Sequence, residues 1–506
     1  MNTTTTRRVT GRDLLGLVLD ADSVRSWDQP PVRQTDSDYA RQLGTARERS
    51  GVDDAILTGE GRAGGRRIAF AVSEFDFLAG SVGLATAARL VAGIERATAE
   101  GLPLLAAPAS GGTRMQEGTP AFTAMIGISA AIAAHKRAGL PYITYLRHPT
   151  TGGVLASWGH LAHVTAAEPG ALVGLLGPKV YHALGAAAPA AGVQSAENFH
   201  RRGLIDAVLT PARLRSAVIR LLRLLAHPAA RPVPPPQTVG FRPAIEDAWE
   251  SVTRSRAPDR PGLRGLLIHA AQDVSWLRGD ASSPAEQGVV LALARFGSAP
   301  CVVVGHDRRP SDGSRLGPEG LRLVRRGADL ARELRLPLVT VIDTGGPELS
   351  AEVEEGGIAR EVALCLQDLT HHRGPVVSLL LGEGAGGAAI ALLPADRTVA
   401  AQHAWLSPLP PEGASAIVHG TTDRAAVMAR QQHIDAGSLL DAGVVDHVVD
   451  ERPDAGSEPR EFCARTAAAV EYELGELAGQ DVEHLLAGRL AKYRALASAG
   501  LPSPVS

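Results

Sequence analysis

The chain has 506 residues, too many for a single hydrophobic core, and its 45% apolar and 21% charged residues are those of a folded globular protein with two domains. A net charge of −3 gives no reason to expect nucleic acid or an anionic membrane as partner. The three cysteines, Cys301, Cys365 and Cys463, supply neither a disulfide framework nor metal-site spacing; the polar start and the lack of a long apolar run point to a cytoplasmic protein without a membrane span.

In chain order, residues 1–50 read as a helical lead-in, with Leu14, Leu15 and Val18 clustered and Pro30-Pro31 as the break. Strand-like runs follow at 55–58 and 67–72, and Gly80-Ser-Val-Gly83 opens a helix carrying Leu90, Val91 and Ile94. A strand at 102–107 ends in Ser110-Gly-Gly and is followed by a helix over 120–138; a strand at 141–146 ends in Thr151-Gly-Gly and is followed by another helix. Strand, glycine turn, helix, repeated, predicts parallel strands joined by crossover helices. Ala226–Pro236 holds five prolines, so 226–240 is expected to be an extended linker between a domain over 1–225 and a second over 241–506. The second begins with a helix over 244–256 and has strands at 288–294 and 300–304. It ends in a helical tail over 461–497, whose apolar stripe predicts a capping or inter-subunit helix.

The second half repeats the first. Gly101-Leu-Pro-Leu-Leu before Gly111-Gly112 matches Arg335-Leu-Pro-Leu-Val before Gly345-Gly346, and Thr151-Gly152-Gly153 matches Ala385-Gly386-Gly387, each pair 234 positions apart. A strand ending in Gly-Gly before a helix presents unpaired backbone N–H groups, which suit an anion or a developing oxyanion. Glycine also lets a ligand approach without a Cβ in the way. Four such turns, two per half, favour a chemical role over mere tight turning. A dinucleotide fingerprint needs GxGxxG after the first strand with an acidic residue about 20 positions on, which neither Gly80-Ser-Val-Gly83 nor the run at Gly382-Glu-Gly384 delivers; with no Walker loop, GxSxG or HExxH either, a nucleoside triphosphate, a serine nucleophile and a zinc site lack their sequence signatures. The Ser110 hydroxyl reads as a cap on its turn. Arg114 and Glu117 either pair locally or reach a substrate phosphate, the histidines at 160, 163, 371, 372 and 403 read as packing or surface residues, and Cys301 and Cys365 read as core thiols.

Taken together these motifs resemble the carboxyltransferase of acetyl-CoA and acyl-CoA carboxylases. Phe75-Asp-Phe-Leu-Ala-Gly-Ser-Val-Gly83, Ser110-Gly-Gly-Thr-Arg-Met-Gln-Glu117 and Pro149-Thr-Thr-Gly-Gly-Val-Leu-Ala-Ser157 are similar to its β subunit. Gly317-Pro-Glu-Gly320, Pro337-Leu-Val-Thr-Val-Ile-Asp-Thr344, Gly382-Glu-Gly-Ala-Gly-Gly-Ala-Ala389 and Pro411-Glu-Gly-Ala-Ser-Ala-Ile417 are similar to its α subunit. The resemblance implies an α/β protein of two tandem crotonase-type (ClpP/crotonase-like) domains, each a superhelix of ββα units. The implied activity is transfer of CO2 from carboxybiotin, held on a separate biotin carboxyl carrier protein charged by a biotin carboxylase, to an acyl-CoA such as acetyl-CoA. It further implies that Gly111, Gly112, Gly152 and Gly153 stabilise the thioester oxyanion, that Gly345, Gly346, Gly387 and Ala388 serve the biotin ureido oxygen, and that Ser110, Arg114, Gly386 and Ala389 hold the ligands. A homo-oligomer is implied as well. The four-cysteine zinc ribbon of the bacterial β subunit has no counterpart here, since no cysteine precedes Cys301, and a Cβ at Ala388 is expected to narrow the second corner. Two other readings use the same residues: a malonyl-thioester decarboxylase, and a non-catalytic scaffold that binds CoA or an acyl carrier.

Overall fold

In the computed structural model the chain divides into two compact units, 1–225 and 226–506. The structure describes residues 8–31, 37–187, 189–225, 230–243, 247–278, 288–307 and 316–498. Among these no helix is long and apolar enough to cross a membrane.

The first unit is built on β1 (Arg25–Ser26), β2 (Ile56–Ala63), β3 (Arg66–Ser73), β4 (Leu104–Ala107), β5 (Tyr142–Leu146), β6 (Thr150–Thr151), β7 (Val164–Ala167), β8 (Val173–Gly174) and β9 (Ala207–Val208). Its sheet runs β1-β2-β3-β4-β5-β7-β9, antiparallel at the first two joints and parallel from β3 onward, while β6 and β8 form a separate parallel pair. Every residue of β4 and β5 is buried, as parallel strands covered on both faces by helices must be. The helix Leu84–Ala99 turns Ala87, Leu90, Ile94 and Ala97 inward at helical spacing, against Ile128 and Ile132 of the helix Gly118–Arg137 and Ala69 and Leu104 of the sheet. Full burial of Leu90 or Ile94 contributes about 1.5–3 kcal/mol.

The second unit follows with β10 (Gln272–Leu277), β11 (Val289–Phe296), β12 (Ala299–His306), β13 (Leu338–Thr344), β14 (Val376–Ala385), β15 (Arg397–Ala401), β16 (Trp405–Ser407) and β17 (His447–Val449). It repeats the plan: β10-β11-β12 antiparallel, then β13-β14-β15-β17 parallel, with β16 paired to the end of β14. The register repeats too: Leu104 pairs Tyr142 in the first unit, and Leu338 pairs Val376, each 234 positions on. This is the tandem crotonase-type arrangement that the motifs imply.

Two expectations need correction. The tail is two helices, Pro459–Leu477 and Val482–Ser498, because Gly479 takes φ 77° and Asp481 then caps the second helix through Glu483 N–H (2.9 Å). That second helix packs on its own unit: the buried Arg489 pairs with Asp396 (3.0 and 2.7 Å) and donates to the carbonyls of Leu369 and His372 (2.9 Å each). The helix read over 244–256 is observed as Ala248–Ser255 capped by Asp247, with 244–246 outside the described residues. The helix Leu263–Ala270 and the edge strand β10 carried no clear periodicity and were not anticipated. Residues 230–236 of the proline-rich stretch have no regular structure, and 226–229 lie outside the described residues. All three cysteines are buried free thiols.

His135 and His372 are 0% and 4% exposed, and burial pushes them down to about 4 and about 3 from the ordinary 6.5, helped at His372 by Arg489 and Arg332. Both are neutral when folded and charge on unfolding, so the unfolded chain binds more protons below pH 6.5. Stability is therefore expected to be full above pH 6.5 and to fall by several kcal/mol as pH drops toward 4, read as a falling urea midpoint.

Candidate functional site

The glycine turns sit at the C-terminal ends of neighbouring parallel strands. In the first unit, β4 runs into Pro108-Ala109-Ser110-Gly111-Gly112, and β5 leads through β6 to Gly152-Gly153. The two turns are stitched together: Ser110 N–H donates to Pro149 O (2.6 Å) and Thr151 N–H to Ser110 O (3.0 Å). A Cβ on Gly112 would stand in the gap between them, 3.6 Å from Gly152 Cα and 3.8 Å from Gly153 N. Gly112 takes φ 114° and Gly152 φ 65°, values that L side chains resist.

The second unit repeats the positive φ of both glycines. Gly346 takes φ 114° and Gly386 φ 67°. Ser110 Oγ accepts the Gly112 N–H (3.0 Å), and Thr344 Oγ1 accepts the Gly346 N–H (3.1 Å). A Cβ on Gly346 would lie 3.9 Å from Ala385.

The amides are not equivalent. Gly111 N–H donates to Ala79 O (3.0 Å) and Gly152 N–H to Leu175 O (2.9 Å), so both are committed to holding the corner. Gly153 stands second in the helical turn that begins at Gly152, and its N–H has no partner among the described residues. Gly387 holds the same place in the helix Gly386–Ile390, again without a partner there. In the first corner the unengaged Gly153 amide thus stands beside the Gly112 amide, tied only to a hydroxyl, and in the second Gly387 stands beside Gly346 in the same way. Two such donors fixed by the fold are what a developing oxyanion requires.

Several of the residues named for the ligands are buried among partners in their own unit. Ser110 is fully buried and acts through the Gly112 amide. Arg114 is 1% exposed and saturated locally: it pairs with Asp54 (3.1 Å) and donates to Ser81 O (2.8 Å), Thr86 Oγ1 (3.0 Å) and Tyr39 OH (3.3 Å). It is a buried hub of the first unit. Tyr39 also donates to Glu117; burial and that carboxylate push its hydroxyl up to about 12, so it stays a donor at neutral pH. Ala388 and Ala389 are buried, Ala388 where the first unit has the core residue Val154. No cluster of three or more His, Cys, Asp or Glu among the described residues could hold a metal ion.

Sequence reasoning missed the surroundings of the second corner. Glu383, 7% exposed, lies against Gly345, with its Oε2 3.7 Å from where a Gly345 Cβ would stand. Arg256 Nε donates to Glu383 (3.1 Å), and its two terminal nitrogens reach Glu412 (2.6 and 3.3 Å). The Glu lies inside a motif quoted for the resemblance, but its cation is 127 positions away and gives no sequence signal. Missed too were the rims: Met115 and Leu349 are 79% and 81% exposed at equivalent places, and Leu175 and Leu409 are exposed at another. Apolar side chains bared beside a corner mark a surface meant to be covered.

Comparison with known proteins agrees with this geometry. The model of the carboxyl transferase domain matches residues 30–477. The probable biotin-dependent acyl-coenzyme A carboxylase beta3 subunit of Mycobacterium tuberculosis is 52% identical over 497 residues, covering 98% of this chain and 99% of the relative. The acetyl-coenzyme A carboxylase carboxyl transferase subunits beta/alpha of Saccharopolyspora erythraea is 34% identical over 501 residues, covering 95% and 88%. Among solved structures, the transcarboxylase 12S hexamer with hydrolysed methylmalonyl-coenzyme A superposes with a TM-score of 0.74 at 21% identity, over 93% of this chain and 90% of that one. A single-chain, multi-domain long-chain acyl-CoA carboxylase does so with 0.69 at 18%, over 93% and 46%. A duplicated fold of the same plan, paired amide corners and a family match across both units place this chain in the carboxyl transferase domain family, the carboxyltransferase components of the acyl-CoA carboxylases.

Proposed function

We propose that the protein is a biotin-dependent acyl-CoA carboxyltransferase that carboxylates the α-carbon of an acyl-CoA, acetyl-CoA giving malonyl-CoA in the simplest case. The relatives' names support the reaction class, and the corners supply the chemistry. Carboxybiotin, delivered on a carrier protein and charged by a biotin carboxylase, would supply the carboxyl group and a ureido nitrogen able to take the acyl α-proton. The chain's own part is electrostatic. In the first unit, Gly112 and Gly153 N–H groups would bind the thioester oxygen as it gains negative charge. In the second, Gly346 and Gly387 N–H groups would bind the ureido oxygen. Both corners are open where a side chain would obstruct, which is the fit such planar carbonyl groups need. Donors fixed before reaction need no reorganisation at the transition state, and each is worth about 10²–10³-fold in rate. The apolar rims at Met115, Leu175, Leu349 and Leu409 support a homo-oligomer that covers them.

The observation that carries the proposal is the repeated corner with an unengaged amide in each unit. Its test is carboxyl exchange: with malonyl-CoA and free biotin, biotin-dependent loss of malonyl-CoA is the expected result. Loss without biotin would favour the decarboxylase. Inactivity with CoA binding retained would leave the scaffold reading. A parallel assay over acetyl-, propionyl- and longer acyl-CoAs, with a biotinylated carrier, measures the acceptor preference directly.

A further inference from the structure

The two corners share their backbone torsions but not their charge. Where the second unit carries Glu383, the first carries Pro149, and where it carries Asp343, the first carries Ala109. The turn itself needs neither carboxylate, since the first copy forms without them. Yet the second corner invests heavily in placing one. Glu383 is near the end of β14, with its backbone N–H on Asp343 Oδ1 (3.1 Å) and its carboxylate against Gly345. Arg256, which ends the helix Ala248–Ser255, meets it at 3.1 Å. That guanidinium is in turn gripped by Glu412 at the first turn of the helix Pro411–His419 and lies over the Trp405 ring (5.9 Å). Trp405 is fully buried and fixed by its own Nε1–H on Ser255 Oγ (3.0 Å).

We propose that Glu383 is a recognition residue of the second corner, accepting a hydrogen bond from the ring N–H of a cyclic urea whose carbonyl oxygen sits on the Gly346 and Gly387 amides, and that Arg256 is its positioning residue. The inference rests on the carboxyltransferase reading above and extends it to a side chain. A cyclic urea presents a carbonyl acceptor flanked by N–H donors, so a complementary site needs donors for the oxygen and an acceptor beside them. The second corner has both. A thioester has a carbonyl and no N–H, and the corner assigned to it has proline and alanine at the equivalent places. The charge difference between the copies thus matches the chemical difference between their ligands. A nearly buried carboxylate beside a developing oxyanion would oppose it by like-charge repulsion; Arg256, in contact with Glu383, cancels that field and fixes the direction in which the carboxylate accepts. A carboxylate has about four acceptor positions, so Glu383 can accept a ligand's hydrogen bond beside those of its protein partners.

The test measures binding, separately from turnover. Saturation-transfer NMR on the full-length protein gives affinities for biotin methyl ester, for its derivative methylated on the ring nitrogen opposite the carboxylation site, and for CoA thioester. Wild type is expected to prefer the N–H form. Glu383→Gln, which keeps the shape and removes the charge, should bind biotin methyl ester about tenfold more weakly, as for loss of a charge-assisted hydrogen bond. It should discriminate little between the two biotin forms and bind the CoA thioester as wild type does. Arg256→Met should shift the same ratio in the same direction. A purely structural ion pair would leave the ratio unchanged while lowering all three affinities together, and that result overturns the proposal. So does an unchanged affinity for biotin methyl ester in Glu383→Gln. If wild type bound CoA thioester and no biotin ester at all, the carboxyltransferase reading itself would fall, which keeps the two failures apart.

Discussion

Gly112→Val is expected to lower kcat/KM by about a thousandfold or more, while Gly153→Ala leaves it within a factor of a few. The contrast follows from where each new side chain goes. A Cβ at Gly112 enters the gap between the two turns, within 3.6 to 3.8 Å of Gly152 and Gly153, where a substrate carbonyl would lie. A Cβ at Gly153 points the other way, to Thr113 Oγ1 (3.4 Å) and Met125 (3.7 Å), at ordinary contact distance, and leaves the Gly153 N–H in place. The valine also has to adopt φ 114°, which costs about 1–3 kcal/mol and lowers Tm by several degrees without unfolding the unit. Steady-state kinetics with circular dichroism and a thermal melt separate the two effects. Normal turnover in a folded Gly112→Val protein would show that the first corner takes no part in the reaction.

The second large effect concerns stability. Arg114→Met is expected to destabilise the first unit by about 3–5 kcal/mol, the cost of leaving a buried charge without its partner. Asp54 is 3% exposed, and Arg114 is the cation in contact with it at 3.1 Å; what then remains to Asp54 is the Thr86 hydroxyl, a local backbone N–H and the field of Arg89, which is paired with Asp53. Adding Asp54→Asn should recover part of the loss, because the orphaned charge goes with it. Activity should fall in step with the folded fraction, with KM for acyl-CoA unchanged. A raised KM in a protein of wild-type stability would instead mean that the guanidinium reaches the ligand, against its observed contacts.

The internal duplication and the order of strand, turn and helix were legible because they are written locally. An apolar run, a glycine pair and a helix with inward Leu and Ile follow one another within about forty residues, and the 234-residue offset read between the motifs also relates the observed pairings of Leu104 with Tyr142 and Leu338 with Val376. What escaped depends on partners far along the chain. Nothing near Gly111 or Gly152 announces that Ala79 and Leu175 consume their amides, leaving Gly153 as the open donor. Arg114 lies in a motif that reads equally as a ligand arm or a packing residue; the convergence of Asp54, Ser81 and Thr86 around it is not written near it in the chain. The charge at the second corner was hidden for the same reason, since Arg256, Glu383 and Glu412 come from two helices and a strand. The single tail helix failed on a smaller point: an apolar stripe continues across Gly479, but the backbone there turns.

The matched torsions at Gly112 and Gly346 have an evolutionary consequence. Groups supplied by the peptide link survive side-chain exchanges outside the glycine positions themselves, so a lineage is free to rewrite much of what surrounds them. On the proposed function, new acyl acceptors or carriers would be accommodated by changing exposed residues such as Met115 and Leu349, one half at a time, while the backbone donors are inherited intact.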